Sequence, residues 1–93
     1  MSFILAPEAL ADLKEIQRYI AEDNPRAAVA TLDRLDGIMQ RLANGALQGP
    51  ETRLLDGRRV QGWSMPPYRI YYRRAAEQTV ILRVYHQARR PIE

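Results

Sequence analysis

Apolar residues in the first half of the chain recur at intervals of three and four. Leu10, Leu13, Ile16 and Ile20 follow Ala6-Pro7, with Glu8, Asp12, Glu15 and Arg18 facing outward, which predicts a helix that stops near Glu22. Proline suits the first helical position, because the N–H it lacks would be unpaired there. Ala28, Leu32, Leu35, Met39 and Leu42 form a second stripe. Between the two stripes stands Asn24-Pro25, where Asn24 can cap the second helix and Pro25 can start it. Asn44-Gly45 is a left-handed stop signal. So short a connection predicts an antiparallel helical hairpin, preceded by a short β-like run over Ser2–Leu5.

In the second half the period changes to two. Residues 46–57, with two glycines and a proline, read as a loop. Strands are expected at roughly Arg58–Ser64, Tyr68–Arg73 and Thr79–His86, the last two joined as an antiparallel hairpin by 74–78. Alternation places Tyr68, Ile70 and Tyr72 on one face with Val80, Leu82, Val84 and His86. Arg69, Tyr71 and Arg73 fall on the other, with Ile81, Arg83 and Tyr85. Residue 69 must then pair with an odd-numbered residue. Pairing with 83 sets two arginines side by side, and pairing with 85 sets each arginine against a tyrosine. The expected fold class is α+β, in the order β-α-α-β-β-β, with the helix pair covering the apolar face of a small antiparallel sheet.

The length of 93 residues and 46% hydrophobic content suit one domain over 1–93, able to form a modest core without metal or disulfide. The absence of cysteine excludes disulfides and thiolate metal sites and fits a cytoplasmic location. The start, MSFILAPEALADL, has no basic leader and only a short apolar run, so it is read as neither signal peptide nor membrane span. Charge is divided unevenly. Residues 1–50 hold five basic and seven acidic side chains, whereas residues 51–93 hold nine arginines against Glu51, Asp56, Glu77 and Glu93. Lys14 is the single lysine. Arginine favours bidentate pairing with carboxylate or phosphate and stacking on aromatic rings, so the second half expects an anionic partner.

The face bearing Arg69, Tyr71, Arg73, Arg83 and Tyr85 is the leading candidate site. An ordinary solvated strand face mixes threonine, lysine and glutamate, whereas arginine and tyrosine are enriched where surfaces bind. His86, the only histidine, shares its alternation face with Val84 and reads as a core-edge residue rather than a general base. Trp63, Pro66 and Pro67 read as structural, and Asp12, Glu15, Asp33 and Asp36 as solvated helix charges. Gly37, inside the second helix, is either a close-approach point or a tolerated glycine. No phosphate-binding glycine loop, HExxH, CxxC or GxSxG is present, and neither cofactor nor metal is expected.

Three stretches carry a family likeness: LAPEALADLKEIQRYIAEDNPRAA, PYRIYYR and VILRVYHQARRP. The combination A-x-x-D-L-x-x-I-x-x-Y-I, then N-P, then Y-R-I-x-Y, then I-L-R-V-x-H resembles ParE-type toxins of the RelE/ParE superfamily of bacterial type II toxin–antitoxin modules. That resemblance implies a small antiparallel sheet with an N-terminal helical hairpin. It also implies one of two activities. RelE-like members are ribosome-dependent endoribonucleases, whereas ParE-like members inhibit DNA gyrase and have no established catalytic site of their own.

Arg69 matches the strand arginine with which RelE-like nucleases hold the scissile phosphate, and Arg89 or Arg90 lies near their C-terminal arginine. The lysines that precede the third strand in RelE are absent here, where Arg58 and Arg59 are the nearest cations. No tyrosine stands at the C-terminal catalytic position, which reads Arg90-Pro91-Ile92-Glu93. Tyr85-His86 is loosely similar to histidine-containing nuclease variants. RNA cleavage through the 2′-hydroxyl needs a base, an acid and phosphate stabilisation, and only the last is well supplied. The resemblance therefore favours a gyrase-directed toxin involved in plasmid stabilisation and growth inhibition. Its partner-binding residues would be Arg58, Arg59, Arg69, Tyr71, Arg73, Arg83, Tyr85, Arg89 and Arg90. It implies a ParD-like antitoxin with a ribbon-helix-helix N-terminus and an acidic C-terminal segment. Operator DNA would be met only through that antitoxin, and no membrane is involved. The alternatives are a RelE-like nuclease using Arg69, Arg89 and His86, or an inactive relative serving as antitoxin partner and corepressor.

Overall fold

A computed structural model describes residues 3–54 and 56–87. The elements run β1 (Phe3–Leu5), α1 (Pro7–Asp23), α2 (Pro25–Ala43), β2 (Glu51–Arg53), β3 (Arg59–Met65), β4 (Tyr68–Ala75) and β5 (Gln78–His86). The helix signals act as expected. Pro7 and Pro25 open their helices, and the Asn24 side chain accepts a hydrogen bond from the Ala27 N–H at 3.1 Å. Gly45 takes up the left-handed backbone after α2, with φ of 84°.

The five strands form one sheet in the order β1-β5-β4-β3-β2. Two features depart from the sequence reading. The expected loop 46–57 contains a strand, because Glu51–Arg53 pairs antiparallel with Arg59–Gln61. The sheet is also mixed rather than wholly antiparallel: β2 to β5 pair antiparallel, but β1 runs parallel to β5. The three residues Glu51-Thr52-Arg53 give too little pattern to reveal β2 or its partner, and nothing in the first strand's local sequence encodes a pairing with residues more than seventy positions away.

Both helices pack on one face. Ala9, Leu13, Leu35, Met39 and Leu42 meet Met65, Tyr68, Ile70, Tyr72, Ile81 and Val84, with Phe3, Leu5, Ile16 and Trp63 at the margin. Leu10, expected in the stripe, is 43% exposed, and Ala9 takes the buried position instead. Gly37 leaves open room, its nearest neighbour on that side being the Arg41 guanidinium at 3.9 Å, so it is a tolerated glycine.

The β4–β5 register contains the main correction. Tyr71 pairs with Arg83 but Tyr72 pairs with Ile81, so Leu82 is an extra residue in β5. This bulge reverses the alternation for everything before it. Ile81 and Thr79 become the buried residues, and Val80 and Leu82 move to the half-exposed face, opposite to the sequence expectation. Beyond the bulge, Val84 and His86 keep the predicted face. Thr79 is buried, and its hydroxyl meets no hydrogen-bonding partner among the described residues.

Candidate docking face of the sheet

The face turned away from the helices has a small apolar centre of its own. Leu54 and Val60 are buried there against Tyr71, Leu82 and Tyr85. The strip just before β3 thus folds over part of a surface that the sequence left fully to solvent. Of the two registers open to β4 and β5, the observed one sets Arg69 opposite Tyr85 and Tyr71 opposite Arg83. The closest stacking is nevertheless within each strand. The Arg69 guanidinium lies 5.6 Å from the Tyr71 ring centroid, and that of Arg83 lies 5.3 Å from the Tyr85 ring centroid.

Arg69 is held by an absence. A methyl group at Gly62 would stand 3.2 Å from Arg69 Nη2 and 3.5 Å from Nε, so the guanidinium lies across bare backbone of β3. Gly62 is itself fixed by a second glycine. Its N–H donates to the Pro50 carbonyl at 3.1 Å, and a Cβ on Gly49 would overlap the Gly62 carbonyl. The Gly49 N–H donates to the Tyr72 hydroxyl at 2.7 Å. Sequence reasoning overlooked this pair, although a glycine inside a strand is a sign of close backbone approach. Among the described residues Arg69 makes no ion pair, so its charge remains available to an anion.

Arg83 behaves differently. Its Nε and Nη2 donate to the two oxygens of Asp12 at 2.7 and 3.0 Å, and the Val84 N–H donates to the same carboxylate at 3.0 Å. β1 covers β5 only as far as Ile81, where the Ala6 N–H closes the pairing; past that point Asp12 on α1 takes over the strand edge. The paired carboxylate pushes the Arg83 guanidinium still further above its ordinary range. Asp12 is therefore a clamp, not the solvated charge expected from its place in the helix pattern, and Arg83 is committed inside the fold rather than offered to a partner.

The other cations divide similarly. Arg58 pairs with Asp56 at 2.8 Å across a tight turn. The backbone N–H of Arg58, aided by its side chain, holds the Asp56 carboxyl below its usual value. Arg59 stands 3.9 Å from Glu51, with both side chains largely exposed. Arg74 donates to the Leu42 carbonyl at 2.8 Å and so closes the end of α2. Arg59, Arg73 and Arg74, with Gln48 and Gln61, line a shallow cleft of about 570 Å³ where β2, β3 and β4 meet. Arg89 and Arg90 lie outside the described residues.

Residues 3–91 match the family described as ParE toxin of type II toxin-antitoxin system, parDE. The chain belongs to the ParE toxin family. A solved structure, the chromosomal ParDE toxin–antitoxin system from P. aeruginosa, has a chain similar in fold, with a TM-score of 0.74 and 20% identity. The likeness covers 92% of this chain and 95% of that one. No curated protein matches.

On this ParE-family sheet Arg69 and His86, the two described residues of the nuclease alternative, do not converge. Arg69 belongs to the outer face, whereas His86 pairs with Tyr68 on the helix side, their rings edge to face at 5.4 Å. Among the described residues no group of three His, Cys, Asp or Glu side chains is placed to hold a metal ion, and no helix is long and apolar enough to cross a membrane. The arrangement supplies positioned guanidinium groups beside tyrosine rings, which is chemistry for holding carboxylates or phosphates.

Proposed function

We propose that this chain is the toxin of its module, that it blocks growth in the cytoplasm by inhibiting DNA gyrase, and that a ParD-like antitoxin silences it. The supporting observation is the outer sheet face. Among the described residues Arg69 is seated and uncommitted, Tyr71 lies beside it, and His86 stands on the opposite face of the sheet. Such a face suits binding rather than bond cleavage. An antitoxin with an acidic C-terminal segment would meet Arg69 and Arg73 through charge-assisted pairs, and a ribbon-helix-helix end of that antitoxin would carry the contact with operator DNA.

The test sets two assays side by side. Purified chain incubated with gyrase and plasmid is expected to accumulate gyrase-dependent double-strand breaks, and with programmed ribosomes to leave the message intact. Message cleavage in the ribosomal A site, lost in Arg69→Ala, would replace this reading with the nuclease. Normal growth on expression without an antitoxin would point to the inactive corepressor. Arg69→Ala combined with Arg73→Ala is expected to weaken antitoxin binding by about tenfold or more. An unchanged affinity would remove this face from the antitoxin interface.

A further inference from the structure

The cleft of about 570 Å³ where β2, β3 and β4 meet draws cations from the helix side of the sheet. Gln61 pairs with the buried Tyr72. Alternation therefore places Arg59, two residues before Gln61, and Arg74, two residues after Tyr72, on that same side. The bond from Arg74 to the Leu42 carbonyl agrees, since it reaches the end of α2. Arg53 stands directly opposite Arg59 and extends the row onto β2. Arg73, the neighbouring residue on β4, also lines the cleft. The row is thus separate from the seat of Arg69 on the outer face.

This row is poorly neutralised. Arg53 and Arg73 make no ion pair or side-chain hydrogen bond among the described residues. Arg74 gives one N–H to Leu42 and keeps the rest of its guanidinium. Glu51, the acid among the lining residues, stands 3.9 Å from Arg59 with both side chains largely exposed, a contact worth little in water. Like charges set directly opposite, as Arg53 and Arg59 are, destabilise a sheet, and an anion between them removes the repulsion. The shape of the site selects the anion. Neighbouring strands lie about 4.8 Å apart, so a row across three of them spans about 10 Å. Duplex nucleic acid carries one charge per about 1.7 Å of axis and presents several phosphates over that length. The cleft is shallow, whereas sites for small molecules enclose most of the ligand. No aromatic ring lines it and Val60 is buried, so neither a peptide's apolar anchor nor an unstacked base finds a seat.

We propose that this cleft holds the phosphate backbone of a nucleic-acid duplex without reading its sequence. The guanidinium forks of Arg53, Arg59 and Arg73 take phosphate oxygens, and the Gln48 amide adds a hydrogen bond. Contacts of this kind fix position on a duplex and carry no base information. The site does not rest on the gyrase reading, and its test contains neither gyrase nor antitoxin.

The experiment is fluorescence anisotropy of a labelled DNA duplex of about 20 base pairs, titrated with the full chain between about 50 and 200 mM salt. A dissociation constant of about 10 μM is expected at the lower salt, nearly equal for two unrelated sequences, with a log–log salt slope of about −3. Arg59→Ala and Arg73→Ala should each weaken binding about fivefold and reduce the slope by about one. Arg18→Ala removes the same charge from the exposed surface of α1 and should weaken binding by less than about twofold. Arg59 and Arg73 are exposed, so their variants keep the fold, which an unchanged circular dichroism spectrum confirms. Equal losses in Arg18→Ala and Arg59→Ala would reduce the effect to net charge and overturn the proposal. A loss confined to Arg69→Ala would move the duplex to the outer face and overturn it too. So would the absence of binding at the lower salt, or displacement of the duplex by a short polyglutamate peptide, which would make the cleft a carboxylate site.

Discussion

The two faces of the β4–β5 hairpin are built from the same two strands and obey different rules. The helix side is a continuous core, with Ile70 and Ile81 fully buried and Tyr72 nearly so. The outer side has a small apolar patch, and around it each arginine has its own arrangement. Arg69 rests on bare backbone, whereas Arg83 is drawn round the strand edge to a carboxylate. Residues that share a face in a pattern can thus differ completely in availability, and for charged side chains availability decides what a partner can meet.

The contrast is broken most severely from the core side. Ile70→Ala should destabilise the protein by about 2–5 kcal/mol, and Leu82→Ala on the outer face by only about 1 kcal/mol, measured by urea denaturation. Similar losses would mean that the outer patch is a second true core. Removing the clamp comes next. Asp12→Ala leaves Arg83 and the Val84 N–H without their acceptor and is expected to destabilise by about 1–3 kcal/mol. Thr79→Val should act in the opposite direction, stabilising by about 1 kcal/mol, because it deletes a buried hydroxyl that has no partner among the described residues. Gly62→Ala has the smallest effect on folding, under about 1 kcal/mol, since the added methyl meets the movable end of Arg69. It should nevertheless weaken antitoxin binding, as Arg69→Ala is expected to. An unaltered affinity would show that the seat of Arg69 is incidental.

The helical half was nearly all legible in the sequence, since proline, asparagine and glycine mark its ends and the leucine spacing marks its buried side. Along β4, strict alternation also gave the right faces. β5 misled because a single extra residue, Leu82, changes the phase, and the sequence around it looks regular on both sides. The role of Asp12 was hidden for another reason. In a helix pattern it is one more outward acid, and only the short reach of β1 along β5 leaves a strand edge for it to occupy. Of the candidate site, the residue types were readable, and the register was narrowed to two, of which the structure adopts the one that pairs arginine with tyrosine. Which arginine is committed was not, because that depends on contacts between residues 71 positions apart.

That separation has a consequence during synthesis. The helical hairpin and the β4–β5 hairpin are local and can form as soon as their residues leave the ribosome. β1 and the Asp12 carboxylate, both near the start of the chain, must wait for β5, near its end. Contacts of such long separation form late and slow the final step of folding. A growing chain therefore carries β1 and the Asp12 carboxylate without their β5 partners until β5 has been made. The arginine face takes Arg83 and Tyr85 from β5 and is completed only then. For this chain, the interval between initiation and the emergence of β5 is one in which translation has yet to produce the arginine face proposed above as its docking surface.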